Sequence, residues 1–203
     1  MSMPKFAKIA EVGFVLVLIA GTAWLGKLVR HNYVTHGQAS RIDGSVTAPV
    51  DIPGRTLDGD DVALQVSNRE RPLMLFVLST TCPFCEQNMP EWRSLAARVA
   101  ELGAGAPEIY VLSVNNARDT SDFLLANDLD LPVHLVDAAV LPLLGLSVYP
   151  GTLGIDPVTR GIAAWTGVLN DADQAVVHTW ARSAMTAQRG GVVLTTDAAL
   201  DVP

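Results

Sequence analysis

Apolar positions along this chain gather into short runs whose period switches between that of a strand and that of a helix. Leu73, Met74, Leu75, Phe76, Val77 and Leu78 form one unbroken apolar run, the length and character of a strand buried on both faces. After the turn Ser79-Thr80-Thr81, apolar residues return at helical spacing. Met89, Trp92, Leu95, Ala96 and Val99 make one stripe of a helix over residues 86–99,. Residues 108–114 predict a second core strand through Ile109, Val111, Leu112 and Val114. A helix over residues 119–127 follows, carrying Phe123, Leu124 and Leu125, with Thr120 or Ser121 near its start. Residues 133–136 predict a third strand, and residues 138–144 a short helix. Residues 152–155 and 161–166 predict an antiparallel pair that turns at Asp156-Pro157,. A closing helix over residues 171–185, capped by Asn170 or Asp171, turns Val176, Val177 and Trp180 inward,.

Ahead of the first core strand, residues 48–54 read as a lead-in and residues 57–64 as a hairpin around Asp58-Gly59,. Strands that alternate with single helices predict an α/β fold, a central mixed sheet flanked by helices. The expected domain spans residues 46–187, with a tail of residues 188–203 read as extension or disorder. Residues 30–45 are polar and aperiodic, and predict a linker.

The N-terminus has a different pattern. Residues 12–29 are apolar and broken only by Lys27, behind a short flank of residues 1–11. At 1.5 Å per residue this stretch spans about 27 Å as a helix, enough to cross a bilayer if Lys27 reaches to the surface. A cleaved signal peptide is the rival reading, with Gly21-Thr22-Ala23 as a poor cleavage site; Trp24, Lys27 and Arg30 fit a retained anchor better,. Lys5 and Lys8 on one side and Lys27, Arg30 and Arg41 on the other barely decide the orientation,. An extracytoplasmic domain is the expectation, because disulfides persist outside the cytosol.

Composition narrows the partners. Net charge is −7. Beyond Arg30 the chain carries 10 arginines and 20 acidic residues, a balance that excludes a basic nucleic-acid footprint.

The chemistry-bearing motif is Cys82-Pro83-Phe84-Cys85, which holds the only two cysteines. Two intervening residues let one helical turn bring both sulfurs within bonding distance. Cys82 stands at the strand-to-helix junction, with Pro83 at the first helical position, where its missing N–H costs nothing. Helix-terminal amides and the dipole favour a thiolate there, which predicts Cys82 as nucleophile and Cys85, one turn in, as resolving thiol. A structural disulfide or half of a zinc site are the alternatives. A staple closing so small a loop stabilises little, and no second Cys-rich or paired-His segment supplies further zinc ligands,.

With a strand, a Cys-x-x-Cys helix, a βαβ crossover and a hairpin in this order, the chain resembles the thioredoxin-like superfamily. More closely it resembles the membrane-anchored TlpA/ResA-type thiol-disulfide oxidoreductases over residues 46–186. The likeness rests on Leu57-Asp58-Gly59, on the cysteine motif with Met89-Pro90 behind it, and on Leu146-Ser147-Val148-Tyr149-Pro150-Gly151-Thr152. The resemblance implies that Pro150 follows a cis bond and lies against the cysteines. It further implies that the backbone of Tyr149 pairs with an extended substrate segment, with Pro83 and Phe84 completing that surface. It implies no cofactor and no metal. Its implied partners are exported proteins with exchangeable disulfides and an upstream membrane electron donor, in cytochrome c or periplasmic enzyme maturation.

Two departures qualify the likeness. Thr81 stands where the family usually has Trp. Asn88 stands where many members carry Glu, so a Glu-assisted proton step is in doubt; Glu86 and Glu91 are the nearby acids. The wording Leu78-Ser79-Thr80-Thr81-Cys82-Pro83 is similar to the MauD-like branch. Phe84 offers the Cys82 sulfur no donor or charge, which predicts an intermediate or reducing poise. Three other functions compete. A thiol peroxidase would use Ser79, three before Cys82, but Leu75 replaces the proline such enzymes share. A copper chaperone would use both thiolates, without the usual wider spacing and His. A docking subunit with vestigial cysteines is the third. His134, His178, His31 and His36 do not space as metal partners, and Trp165 and Trp180 read as core.

Overall fold

The computed structural model describes residues 21, 22, 24, 40–42, 46–67 and 69–190. The chain divides into a short unit, Met1–Gln38, and a larger one, Ala39–Pro203. In the short unit Gly21, Thr22 and Trp24 are helical; the rest of the expected anchor over residues 12–29 lies outside the described residues. Among the described residues no helix is long and apolar enough to cross a membrane.

The larger unit is an eight-stranded mixed sheet with helices against it. Its strands are β1 (Ser40–Ile42), β2 (Asp51–Arg55), β3 (Asp61–Gln65), β4 (Leu73–Leu78), β5 (Glu108–Ser113), β6 (Val133–Leu135), β7 (Gly151–Ile155) and β8 (Ile162–Thr166). Helices α1 (Pro83–Ala100), α2 (Ala117–Ala126) and α3 (Asp171–Gly190) alternate with them, and a 3₁₀ helix spans Ala138–Leu144. Spatial order is β1-β8-β7-β4-β5-β6-β2-β3. β4, β5 and β6 are parallel, while β7 runs antiparallel to β4.

Every residue of β4 is buried, as its unbroken apolar run requires. Alternation then divides the core in two. Met74, Phe76 and Leu78 face Trp92, Leu95, Val177 and Leu124 of the three α-helices. Leu73, Leu75 and Val77 face Ile52, Leu64 and Val140 of the first hairpin and the 3₁₀ helix.

Several boundaries differ from expectation, each for a local reason. Residues 40–42, expected within a linker, form β1 and pair antiparallel with β8; a three-residue edge strand is too short to show periodicity. The helix expected over residues 119–127 begins at Ala117, because Asn116 accepts from the Asp119 amide at 2.9 Å and returns a bond to its carboxylate at 2.7 Å, a reciprocal cap. Thr120 is instead buried, its hydroxyl 2.8 Å from Ser113 Oγ. Thr120 and Leu124 set the buried side of that helix, so Leu125, one step round, is 81 % exposed. In α3 the buried stripe is Gln174, Val177, Ala181, Ala184 and Met185. Val176, expected to face in, sits 100° off that stripe and is exposed,. The cap of α3 is Asn170, which accepts from Asp173 N at 2.9 Å. The α3 backbone continues to Gly190, past the expected domain end at residue 187; residues 191–203 lie outside the described residues.

Candidate active site

The carboxyl end of β4 delivers the chain to α1 through Ser79-Thr80-Thr81, and three short bonds hold that turn. Cys82 N donates to Ser79 O at 3.1 Å, Ser79 Oγ lies 3.1 Å from Thr81 Oγ1, and Thr80 N donates to Asn115 Oδ1 at 2.9 Å. Asn115 follows β5, so the neighbouring parallel strand braces the turn. Sequence reasoning missed this residue; its only signal is a polar Asn-Asn pair at a strand end.

Cys82 is the N-cap of α1, with extended backbone (φ −93°, ψ 112°) and Pro83 just inside the helix. It is half-buried, and both cysteines are free thiols. Cys85 is completely buried, packed with Phe76, Leu78, Met89 and Trp92. Its thiol hydrogen-bonds with Cys82, and a backbone hydrogen bond from Ser79 reaches the same sulfur. Burial pushes the Cys85 thiol strongly up; the Ser79 bond pulls it back in part, and Cys82 adds to the rise,. One sulfur thus meets solvent, and the other is held protonated beneath it.

Tyr149-Pro150 is a cis peptide bond, as the resemblance implied. Pro150 is buried and Tyr149 half-buried; Tyr149 packs against both halves of the core, including the group that holds the cysteines. Burial raises the Tyr149 phenol, and the charges of Cys85 and then Cys82 raise it further. The phenol is therefore within electrostatic reach of both sulfurs. Tyr149 precedes β7, whose ladder to β4 begins with Gly151 opposite Val77. Pro83 is exposed and Phe84 half-buried, and the exposed Val148 adjoins Tyr149. Of the expected site residues, Cys82, Cys85 and Tyr149 share one packed group; Pro150 follows Tyr149 across the cis bond, and Pro83 and Phe84 lie between the two cysteines in the first turn of α1.

Asn88 lies three residues past Cys85, on the same buried face of α1. Its Oδ1 accepts from Leu169 N at 2.8 Å, and its Nδ2 has no partner. The segment it holds also closes on the proline turn, because Gly167 N donates to Pro150 O at 2.8 Å. Of the acids considered as substitutes, Glu86 is exposed, and Glu91 accepts from Gln174 of α3. His134 is buried in the core, its Nε2 2.9 Å from Ile52 O. Trp165 is buried and meets the half-buried Trp180 edge-on at 6.4 Å between centroids. Among the described residues no cluster of His, Cys, Asp or Glu could hold a metal.

A groove of about 1020 Å³ lies away from the sulfurs, lined by Gly54, Arg55, Asp61, Asn115, Leu135 and Asp137 among others. It opens where β2 meets β6 through a single paired position, Arg55 with Leu135. None of the cysteine motif lines it.

No protein-family model matches the chain, and no curated protein sequence matches it. Solved structures do. The thioredoxin domain of a thiol-disulfide oxidoreductase from Bacteroides vulgatus superposes with a TM-score of 0.56 at 18% identity, over 69% of this chain and 99% of that one. A thiol:disulfide interchange protein from a Bacteroides species gives 0.53 at 19% identity, over 70% and 91%. A thioredoxin-family thiol:disulfide interchange protein from Chlorobium tepidum gives 0.52 at 17% identity, over 67% and 95%. The larger unit has the thioredoxin-like fold.

Proposed function

We propose that this protein is a thiol-disulfide oxidoreductase of the TlpA/ResA type, tethered to the membrane and working on exported proteins. The observation that carries the reading is the unequal pair of free thiols at one helix mouth. Cys82 is half-buried and Cys85 fully buried, and Tyr149 packs in the same group.

The unequal exposure of the two cysteines supports the following order of events. Cys82, the sulfur that meets solvent, attacks a disulfide of the partner and forms a mixed disulfide, releasing one partner thiol. Cys85 then gives up its proton to water and attacks the Cys82 sulfur. The enzyme disulfide forms, and the second partner sulfur leaves as thiolate and takes a proton from water. Two electrons pass from the dithiol to the partner, and the cycle runs in reverse against a partner dithiol. The exposed Pro83 and Val148 and the half-buried Phe84 and Tyr149 are the residues offered to an extended partner segment along the start of β7.

The apolar stretch of residues 12–29 supports a membrane anchor, and disulfide chemistry favours the extracytoplasmic side. Upstream, a membrane electron donor would reset the dithiol.

The direct test is a redox titration of residues 39–203 alongside the full chain, with insulin disulfide reduction as the activity. A potential near about −270 mV marks a reductant and one near about −120 mV an oxidant. Cys82→Ser abolishes exchange. A pair that never cycles, or retained activity in Cys82→Ser, overturns the reading.

A further inference from the structure

The resolving step carries a physical difficulty that the exchange reading leaves open. Cys85 is wholly buried among apolar side chains, yet it must become a thiolate before it attacks. A buried charge is costly unless donors meet it. One donor is the backbone hydrogen bond from Ser79. A second stands one turn along the helix.

Asn88 is completely buried. A buried side-chain amide normally uses both ends, and this one uses only its oxygen, on Leu169 N at 2.8 Å. That bond fixes the amide plane, so Nδ2 is the end left free, and it has no partner. Helical side chains lean toward the helix N-terminus, so residue 88 leans back over the turn that carries residue 85. Cys85 and Asn88 are both on the inward face of α1, at the three-residue spacing that makes side chains neighbours. Leu169 belongs to the same packed group as Cys85.

We infer that the Asn88 side-chain amide is the donor that steadies the Cys85 sulfur when it turns into a thiolate in the resolving step. The inference rests on the exchange reading above and adds a role to a residue that cannot itself titrate. In the resting dithiol the Cys85 proton is in place and Nδ2 waits. Once Cys82 is tied up in a mixed disulfide, the Cys85 proton leaves to water, and Nδ2 together with Ser79 solvates the charge. The charge then moves onto the departing partner sulfur. Cys82 and Tyr149 are the titratable groups set against this sulfur. In the resolving step Cys82 is uncharged within the mixed disulfide and the raised Tyr149 phenol keeps its proton, so neither supplies a countercharge, which leaves neutral donors such as Asn88 to stabilise the thiolate.

The experiment uses the full chain with Cys82 loaded as a glutathione mixed disulfide, and follows glutathione release by Cys85 against pH. Asn88→Leu removes donor and acceptor together. Asn88→Asp keeps an oxygen for Leu169 N, so the loop stays anchored, but removes the donor. Release should slow about ten- to a hundredfold in both, the range expected for a hydrogen bond to a charged group. The pH at which release is half-maximal should rise by about one to two units, the pH equivalent of that same loss. Loading of Cys82 should proceed at the wild-type rate. If Asn88 only anchors Leu169, Asn88→Asp resolves at the wild-type rate with an unmoved pH profile, and the inference falls. Faster release in Asn88→Asp, with the carboxylate taking the Cys85 proton, also overturns it. A wild-type protein that never releases glutathione overturns the exchange reading itself, and this inference with it.

Discussion

Trp92 of α1 donates its indole N–H to Thr152 Oγ1 of β7 at 2.8 Å, in a fully buried setting. The same indole stacks on Phe76 of β4, centroids 5.0 Å apart and planes 5° from parallel. One side chain therefore ties the helix that carries both cysteines to the strand that begins just after Pro150. The two halves of the site are held by a polar bond inside an apolar layer, where its loss strands a hydroxyl.

Trp92→Phe keeps a ring on Phe76 but leaves Thr152 Oγ1 unpaired. Unfolding in urea should show a loss of about 1–3 kcal/mol. Trp92→Phe/Thr152→Val, which removes both polar partners, should recover part of it. A double variant no better than the single one would refute the role of the hydrogen bond.

Gly154 of β7 sits under the Trp180 ring, and a Cβ built there would come within 2.6 Å of the ring carbons. Gly154→Ala should destabilise by about 1–3 kcal/mol through overpacking, read as a Tm drop of about 2–4 °C per kcal/mol. Trp180→Ala should remove most of that penalty in the double variant, so the two effects should not add. Additive effects would place the strain elsewhere.

Burial lowers the pKa of His134 below its ordinary 6.5, with the Ile52 carbonyl pulling it partly back. Because the unfolded chain binds the proton more readily than the folded one, this group costs stability as pH falls below about 6.5 and has no such effect above it. Thermal midpoints measured between pH 7.5 and pH 5 should decline. His134→Phe, which carries no proton, should show a shallower decline over that window. Parallel slopes for the two proteins would remove His134 as a contributor.

Cys85 is inaccessible and held protonated, whereas Cys82 meets solvent. Iodoacetamide at pH 8 should modify one thiol per native chain, at Cys82 by peptide mapping, and two per chain in guanidinium. Cys85→Ser, offered a protein disulfide, should accumulate the mixed disulfide through Cys82. Equal native labelling of both cysteines would contradict the assigned order of attack.

Strong local signals made much of this molecule readable from its residues. The six-residue apolar run set β4, Pro83 after Cys82 set the start of α1, and Asp58-Gly59 set the first hairpin turn; Gly59 takes φ +93° there. The cysteine pair and its placement at a strand-to-helix junction followed from those elements. They are short-range patterns, in which neighbours in sequence are neighbours in space. What depends on distant segments needed the folded chain. Asn116 capped α2 ahead of the expected start at residue 119, Thr120 was drawn inward to Ser113, and β1 formed only because β8 supplied its pairing edge. Asn115 became part of the site by bonding an amide 35 residues earlier, and Asn88 by meeting Leu169, 81 residues on. Spacing along a helix or strand is set by backbone geometry and can be counted. The partner of a buried polar atom is set by packing, and only the tertiary structure decided it.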